Sequence, residues 1–213
     1  MKEDALKKTI IGLTEPIARS LNLIVWGLEI LRAGRMIIRL YVDAPLSPSS
    51  TSDAALASSG ENADRRSPSI GQCEEISRHL ALALDVENLI DEAYTLEVST
   101  PGFSRTFFSL AQMRPYLGEL MEVRLRDPVM PEPLGSRLHP GAALTPRHLW
   151  RGKLNAVRDD ALVLEPVAVS ADGDIIPEAF KPLCLPWKNV HRATRLHVFK
   201  NPVKPGKKAK TSR

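Results

Sequence analysis

Residues 94–105, Y-T-L-E-V-S-T-P-G-F-S-R, decide the fold prediction. Apolar and polar side chains alternate over residues 94–99, which is the period-two pattern of a half-buried strand. Pro101 and Gly102 then end the strand, because proline fixes one backbone angle and glycine accepts the positive φ that other residues resist. The sequence therefore predicts a strand that passes directly into a tight turn and presents Arg105.

A helix-forming segment precedes this strand. Residues 70–78 read I-G-Q-C-E-E-I-S-R, and a helix is predicted over residues 70–85. Its expected inner face comprises Ile70, Cys73, Ser77, Leu80, Ala81 and Leu84. The ordered run resembles the bacterial ribosome maturation factor RimP family, where a C-E-E-I-S-R-type helix precedes a Y-x-L-E-V-S-S-P-G-type strand and turn. The resemblance covers residues 9–45, 69–127 and 148–199.

The turn departs from the family pattern in one respect. In the family it continues L-D-R-P-L, with an acidic residue before the arginine and a proline after it, whereas residues 103–107 here read F-S-R-T-F. Arg105 is kept, but a role that needs the acidic neighbour is not carried over.

Composition places the chain among soluble globular proteins. Its 213 residues allow one large or two small domains, and 43% hydrophobic with 25% charged residues is ordinary for that class. No apolar run approaches the ~20 residues needed to cross a bilayer, and no signal-peptide pattern opens the chain, so we expect a cytoplasmic protein. Cys73 and Cys184 lie far apart in the sequence, which predicts two buried free thiols rather than a disulfide framework.

The positive charge belongs to the C-terminal segment. Residues 200–213 carry six cationic side chains and no acidic one, and subtracting those six from the net charge of +4 leaves −2 for the rest. We expect this tail to be disordered and to attract phosphates, although a solvated tail without function has the same composition. Four of its lysines are candidate contacts: Lys204, Lys207, Lys208 and Lys210.

Residues 1–107 are predicted to form an α+β domain of two layers. An amphipathic helix over residues 3–21 is followed by β-rich runs at 23–30 and 36–42, then by the helix and strand described above. The order α-β-β-α-β looks like the bacterial KH fold, which the family resemblance also implies. The chain lacks the G-x-x-G loop with which KH modules clamp nucleotides, so that binding mode is not transferred.

Residues 117–199 are predicted to form a small β-barrel, and residues 108–116 before it are predicted to form a short helix or connector. The expected strands occupy residues 121–125, 150–157, 161–166, 181–186 and 190–198. Short strands at this spacing favour a closed antiparallel barrel. The family ends in an SH3-like or Sm-like barrel, and W-R-G-K-L-N-A-V at residues 150–157 is similar to its F-x-G-x-L-type strand. Gly152 is expected at a sharp strand bend, where a side chain would collide.

Three segments fall outside the resemblance. Residues 45–68 read as a loop insertion rich in Ser, Ala, Asp and Pro. Residues 128–147 read as a proline-rich excursion, and residues 168–180 as a lengthened hairpin. Functional lids have similar compositions, but padding between elements explains each segment more simply.

The sequence offers no catalytic constellation. It contains neither a G-x-x-x-x-G-K-[ST] phosphate loop nor a G-x-G-x-x-G turn, and its two cysteines lack the paired spacing of a zinc site. Glu74 and Glu75 are adjacent on a helix and point in different directions, so they do not form a carboxylate pair. We therefore predict a protein that is not an enzyme and that needs no cofactor or metal.

Arg105 has two open interpretations. Together with Pro101 and Gly102 it is a candidate contact for a partner or for rRNA, since a guanidinium can fork onto a phosphate or a carboxylate. Alternatively it forms a salt bridge to Glu97, or to an acidic residue of the second domain, with a purely structural role. Acidic and basic residues on the first hairpin, among them Asp43, are expected to face outward.

A second candidate surface lies on the barrel. It is a possible basic strip, although charges that protect strand edges from aggregation would look the same. The strip comprises Arg124, Arg126, Arg151, Lys153 and Arg158. Trp150 and Trp187 are expected in the barrel core, with a base-stacking platform as the less favoured interpretation.

The resemblance implies a ribosome maturation factor for the small (30S) subunit. Its implied partners are the immature subunit, a small-subunit ribosomal protein of the decoding region and rRNA, contacted mainly through the barrel, and we expect a monomer that does not bind membranes. The alternative is a general Sm-like or KH-like RNA-binding regulator that acts on messenger or small RNA.

Overall fold

The computed structural model describes residues 3–45, 67–134, 144–170 and 172–198 of the chain. The chain divides into two compact units, residues 1–115 and 116–213. The first unit combines helices and strands and the second consists mainly of strands, so the protein is of the α+β class. The described part contains three α-helices and ten strands. Within that part no helix is both long and apolar enough to span a bilayer.

Two helices of the first unit cover one face of a three-stranded sheet. Helix α1 spans Glu3–Ser20 and helix α2 spans Ile70–Val86, as predicted. A capping box starts α2: the Ser69 hydroxyl accepts from the Gln72 amide, and the Gln72 side chain accepts from the Ser69 amide. The buried residues of α2 are Ile76, Leu80 and Leu84. The expected place of Ile70 on the inner face is wrong, because its side chain is 89% exposed at the first turn of the helix.

The sheet consists of a long hairpin and one added strand. Strands β1 (Ile24–Ala33) and β2 (Arg35–Asp43) are antiparallel and run further than predicted, since Ala33 pairs with Arg35 around Gly34 at φ 80°. Strand β3 (Tyr94–Ser99) lies parallel to β2. All six β3 residues are half-buried, so the alternation in the sequence does not become an alternation of burial.

The first unit ends in short elements. Strand β4 (Thr106–Phe107) follows the turn after β3. Helix α3 (Leu110–Met113) and a 3₁₀ turn (Arg114–Tyr116) lie within residues 108–116, so the helix among the two predicted possibilities is present. The core of this unit lies between α1, α2 and the sheet, with Ile10, Ile38, Leu40, Ile76 and Leu80 fully shielded from solvent.

The second unit is an antiparallel sheet. Its strands are β5 (Leu120–Val129), β6 (Arg147–Val157), β7 (Ala161–Val169), β8 (Ile175–Pro177), β9 (Leu183–Pro186) and β10 (Val190–Arg195). They pair in the order β10-β5-β6-β7. The far edge of β7 pairs with β9 along its first half and with β8 along its second half.

The predicted barrel is not found as a closed structure, because no pairing among the described strands joins β9 to β10. Strand β8 lies inside the predicted hairpin extension at residues 168–180, where a strand was not expected. The other five strands appear where the sequence places them, and a 3₁₀ turn at Trp187–Asn189 precedes β10.

The core of the second unit contains Trp150, which is 1% exposed, as predicted, whereas Trp187 is only half-buried. Arg147 lies over the Trp150 ring, with its Cζ 5.0 Å from the ring centroid, and pairs with Glu178 at 2.9 Å. A Cβ on Gly152 would lie 2.7 Å from the Glu165 carbonyl oxygen, so the predicted collision at this position is confirmed.

Several predicted segments lie wholly or partly outside the described residues. They are the centre of the insertion at 45–68, residues 135–143 of the proline-rich excursion, and the basic tail at 200–213.

Candidate functional site

The turn after β3 presents an aromatic side chain. Pro101 is buried, whereas Gly102 adopts φ 66°, a left-handed conformation that a side chain would resist. Phe103 follows at the tip and is 75% exposed. The turn is therefore anchored at its first residues and projects a large apolar group from its tip.

Arg105 closes this turn onto the first hairpin. Its Nη1 donates to Asp43 Oδ2 at 2.8 Å, and its Cζ lies 4.8 Å from the centroid of the Trp26 ring. The two charged side chains are 18% and 11% exposed. The other carboxylate oxygen of Asp43 accepts from the Ala44 amide at 2.9 Å. A mostly buried guanidinium thus stacks on an indole and pairs with a mostly buried carboxylate.

One expectation about this region is wrong. Asp43 does not face outward, because only 8% of the residue is exposed. Arg105 pairs with Asp43, whereas the Oε2 of Glu97 accepts from Arg39 Nε at 2.7 Å. The parallel register of β2 and β3 explains why Glu97 pairs with Arg39, since Arg39 lies directly beside Glu97 in the neighbouring strand. Arg105 therefore has a structural contact within the first unit, to an acid that sequence proximity did not indicate.

The Trp26 ring that supports Arg105 is itself fixed. Its Nε1 donates to the Thr106 carbonyl at 2.7 Å, and the Gln112 side-chain amide donates to the Trp26 carbonyl. Gln112 Oε1 in turn accepts from the Phe108 amide at 2.7 Å. These bonds tie the residues that follow Arg105 to Trp26 of β1, so this segment forms a clasp across the edge of the sheet.

Phe108 completes the clasp by lying against bare backbone. A Cβ on Gly27 would come within 2.0 Å of the Phe108 ring, so glycine at this position permits the contact. The same ring lies 5.8 Å from the Tyr41 ring, centroid to centroid. The sheet face opposite the helices is therefore partly covered by the segment that follows the turn.

Charged groups line the rest of that face. The Tyr41 hydroxyl donates to Glu29 at 3.1 Å. Burial raises the pKa of Tyr41, and the nearby Glu29 carboxylate raises it further. The pKa of Arg39 is raised chiefly by its hydrogen bond to Glu97. The raised pKa values keep the Tyr41 hydroxyl protonated and the Arg39 guanidinium charged at neutral pH, which suits the hydrogen bond of Tyr41 to Glu29 and the ion pair of Arg39 with Glu97.

The cysteines differ in setting. Both are free thiols, as predicted, but Cys184 is exposed and the expectation that both are buried is wrong for it. Burial raises the pKa of the Cys73 thiol, which lowers the fraction present as the reactive thiolate. Among the described residues, no group of three or more His, Cys, Asp or Glu side chains could hold a metal ion.

The five barrel residues of the predicted basic strip are only partly brought together. Arg124 and Arg126 on β5 and Lys153 on β6 are exposed on the outer face of the sheet. Arg151 shares that face but pairs with Glu122 at 2.9 Å. Arg158 comes directly after the C-terminal end of β6, whereas Arg124 pairs near the N-terminal end of β6, so the two residues are distant along the strand. The tail lysines lie outside the described residues.

Sequence reasoning missed several residues of these surfaces. Trp26 and Gln112, which position Arg105, carry no local motif. Arg192 on β10 lies beside Arg124 in the sheet, although the two are 68 positions apart in the chain. An acidic residue at the end of a strand, such as Asp43, is a weak signal by itself.

The chain is similar to proteins of one kind along nearly its whole length. Residues 13–104 match the family model described as RimP N-terminal domain. A ribosome maturation factor RimP from Desulfovibrio desulfuricans is 49% identical, over 97% of this chain and 86% of the relative. One from Nitratidesulfovibrio vulgaris is 38% identical, over 95% of this chain and 96% of the relative. One from Lawsonia intracellularis is 29% identical, over 96% and 93%.

Proposed function

Because the chain belongs to the family of the ribosome maturation factor RimP, we propose that it assists assembly of the small ribosomal subunit by binding immature subunits without catalysing a reaction. The observation that carries this proposal is the extent of the similarity. Relatives named as ribosome maturation factors align over at least 95% of the chain at 38–49% identity, so both units are included. The proposed partners are the 30S precursor, a ribosomal protein of its decoding region and rRNA, and the proposed location is the cytoplasm.

The two units have separate parts in this proposal. The first, with order α-β-β-α-β, is proposed to be a KH-like domain that lacks the nucleotide-clamping loop. The second is proposed to correspond to the SH3-like or Sm-like module of the family, and to provide the main docking surface. Domain boundaries at residues 107 and 117, with an insertion at 45–68, belong to the same proposal.

Two surfaces are proposed to contact the subunit. The first is the turn at Pro101 and Gly102, which Arg105 positions through Asp43 and Trp26. Because most of the Arg105 guanidinium is buried, its part is to hold the turn while the exposed Phe103 makes the contact. The second is the outer face of the β5-β6 sheet, with Arg124, Arg126, Arg151, Lys153 and Arg158.

The mechanism is a shift of population. A factor that binds a partly assembled subunit more tightly than the mature one stabilises the assembly-competent conformation, and it leaves when the mature contacts form. The differential affinity sets the size of the shift. A tenfold preference for the immature subunit corresponds to about 1.4 kcal/mol.

The basic tail is proposed to add phosphate contacts. If all six of its cations met phosphates, the slope of log K against log salt would lose at most ~4 when residues 200–213 are deleted, at about 0.7 per contact. The measurement is the affinity for immature subunits over a salt series, with the intact chain as control. An unchanged slope would remove the tail from the binding surface.

One comparison tests the function itself. The affinity of the full chain for immature small subunits is measured beside its affinities for mature subunits and for a structured RNA of similar size. We expect the tightest binding to the immature subunit. Equal or tighter binding to the isolated RNA would favour the general RNA-binding regulator instead.

A further inference from the structure

The last tryptophan of the chain differs from the other two in its contacts. Trp26 and Trp150 are 1% exposed, and each donates its indole N–H to a backbone carbonyl and carries an arginine over its ring. Trp187 is half-buried, and among the residues that the structure describes no guanidinium or aromatic ring stacks on it. No described residue accepts a hydrogen bond from its Nε1, which is nevertheless not among the buried polar atoms without a partner, so this edge of the ring reaches solvent.

The turn that carries Trp187 is fixed at both of its ends. The Trp187 amide donates to the Asp160 carbonyl at 2.8 Å, which ties the turn to the connection between β6 and β7. At the other end the Asn189 side chain forms two hydrogen bonds with the Asp127 backbone of β5: Oδ1 accepts from the amide at 2.8 Å, and Nδ2 donates to the carbonyl at 3.0 Å. The backbone under the indole is therefore in place before any ligand binds, so little conformational freedom is lost on binding.

The two segments that hold this turn each carry an exposed arginine. Arg126 directly precedes Asp127, and Arg158 lies two positions before Asp160. Lys188, within the turn itself, is exposed as well. The carboxylates of Asp127 and Asp160 belong to exposed residues too, so charges of both signs surround the ring. The group that distinguishes this place from the rest of the surface is the indole, with cations on both sides of its turn.

We propose that Trp187 is a stacking platform for an unpaired base of single-stranded RNA. The proposal rests on the proposed function, which brings the protein to an RNA-rich particle, and it adds a base contact to the phosphate contacts proposed for Arg126 and Arg158. Every base has a π-face that stacks on an aromatic ring, so the contact reads no particular sequence. A base inside a duplex is not available for such stacking, so the platform selects single-stranded loops or ends.

The test uses the full-length chain and three variants, Trp187→Phe, Trp187→Leu and Leu82→Ala. Phenylalanine keeps an aromatic face, and leucine removes that face while it stays apolar. Leu82→Ala truncates a 60% exposed residue of α2 and serves as the control. Binding to a labelled oligoadenylate of roughly 10 nucleotides is followed by fluorescence anisotropy between about 50 and 200 mM salt. A second probe of the same length carries the same phosphates on riboses without bases, and thermal unfolding of each variant is recorded in parallel.

Trp187→Leu is expected to bind oligoadenylate about fivefold more weakly than the intact chain, or weaker still, which is the lower end of the range for one stacked base. Its salt slope should not change, because no charge is removed. Trp187→Phe should stay within about threefold of the intact chain, and all four proteins should bind the abasic probe equally. Unlabelled oligoadenylate should quench the tryptophan emission of the intact chain but not that of Trp187→Phe, because the other two tryptophans are buried.

Three outcomes would overturn the platform. The first is an unchanged affinity of Trp187→Leu for oligoadenylate. The second is an equal loss of affinity for both probes, since the variant would then have lost its fold and not a base contact. The third is quenching of equal size in the intact chain and in Trp187→Phe, which decides the matter even where the leucine variant is unstable.

Two further outcomes separate this inference from others. If Trp187→Leu binds oligoadenylate normally but loses affinity for immature subunits, the assignment to RNA is overturned in favour of a contact with a ribosomal protein. If Trp187→Leu loses oligoadenylate affinity as expected but the intact chain shows no preference for immature subunits, the platform is supported and the proposed function fails.

Discussion

The clasp around Arg105 predicts a large coupling energy between Arg105 and Asp43. Removing either partner leaves the other charge mostly buried and unpaired, which costs about 3–5 kcal/mol in a fully dry interior. The Arg105 and Asp43 side chains are 18% and 11% exposed, so solvent reduces this cost. We expect Arg105→Ala or Asp43→Ala to lower the free energy of unfolding by about 2–4 kcal/mol. The direct coupling in a double-mutant cycle should be about 1.5–3 kcal/mol, the range for hydrogen bonds to charged groups.

The assay is urea unfolding of the full-length chain, followed by far-UV circular dichroism and by hydrogen exchange of peptides that cover residues 94–108. Exchange in these peptides should accelerate in Arg105→Ala, because the turn loses its attachment to β2. The matched control is the pair Arg32–Glu92. Its N–O distance is 2.7 Å, against 2.8 Å for Arg105–Asp43, but its two side chains are 59% and 53% exposed. Its coupling should be about 0.2–1 kcal/mol.

A coupling between Arg105 and Asp43 no larger than that of the exposed control pair would refute this reasoning. The reasoning would also be refuted if the Arg105→Ala variant had normal stability but a strongly reduced affinity for immature subunits, because the arginine would then be a direct contact.

Two further predictions concern packing and reactivity. Gly27→Ala should lower the free energy of unfolding by about 1–3 kcal/mol, because its Cβ would meet the Phe108 ring at 2.0 Å. Gly12→Ala should raise it by about 0.5–1 kcal/mol, because no heavy atom lies within 4 Å of the added Cβ. Thermal unfolding of both variants checks this, and equal effects would contradict it. Iodoacetamide near pH ~8 should alkylate Cys184 before Cys73, since Cys184 is exposed and burial raises the pKa of Cys73. Peptide mass spectrometry over time measures the order of labelling. Faster labelling of Cys73 would count against its burial.

Most of the secondary structure could be predicted from local pattern. Period-two alternation located β3 at the residues that the structure assigns, and helical spacing located α1 and α2. The misses have physical causes. Ile70 fits the helical period, but it occupies the first turn of α2 and its side chain is exposed to solvent. Strand β8 has three residues, too few for a periodic pattern to distinguish it from a loop.

The candidate sites depended on pairing between distant segments, which no local pattern encodes. Asp43 and Arg105 are 62 positions apart, and the parallel register of β2 with β3 is what brings their segments together. The same holds for Arg124 and Arg192, which become neighbours only through the pairing of β5 with β10. The sequence identified Arg105 and Arg124 as candidates but could not name their neighbours.

Sedimentation tests the central claim most directly. A tagged full-length chain, expressed in cells that accumulate assembly intermediates, is followed through a sucrose gradient that separates immature from mature small subunits. The account predicts that the chain is enriched with the immature particles and depleted from the mature ones. Equal distribution between the two, or migration apart from both, would contradict it.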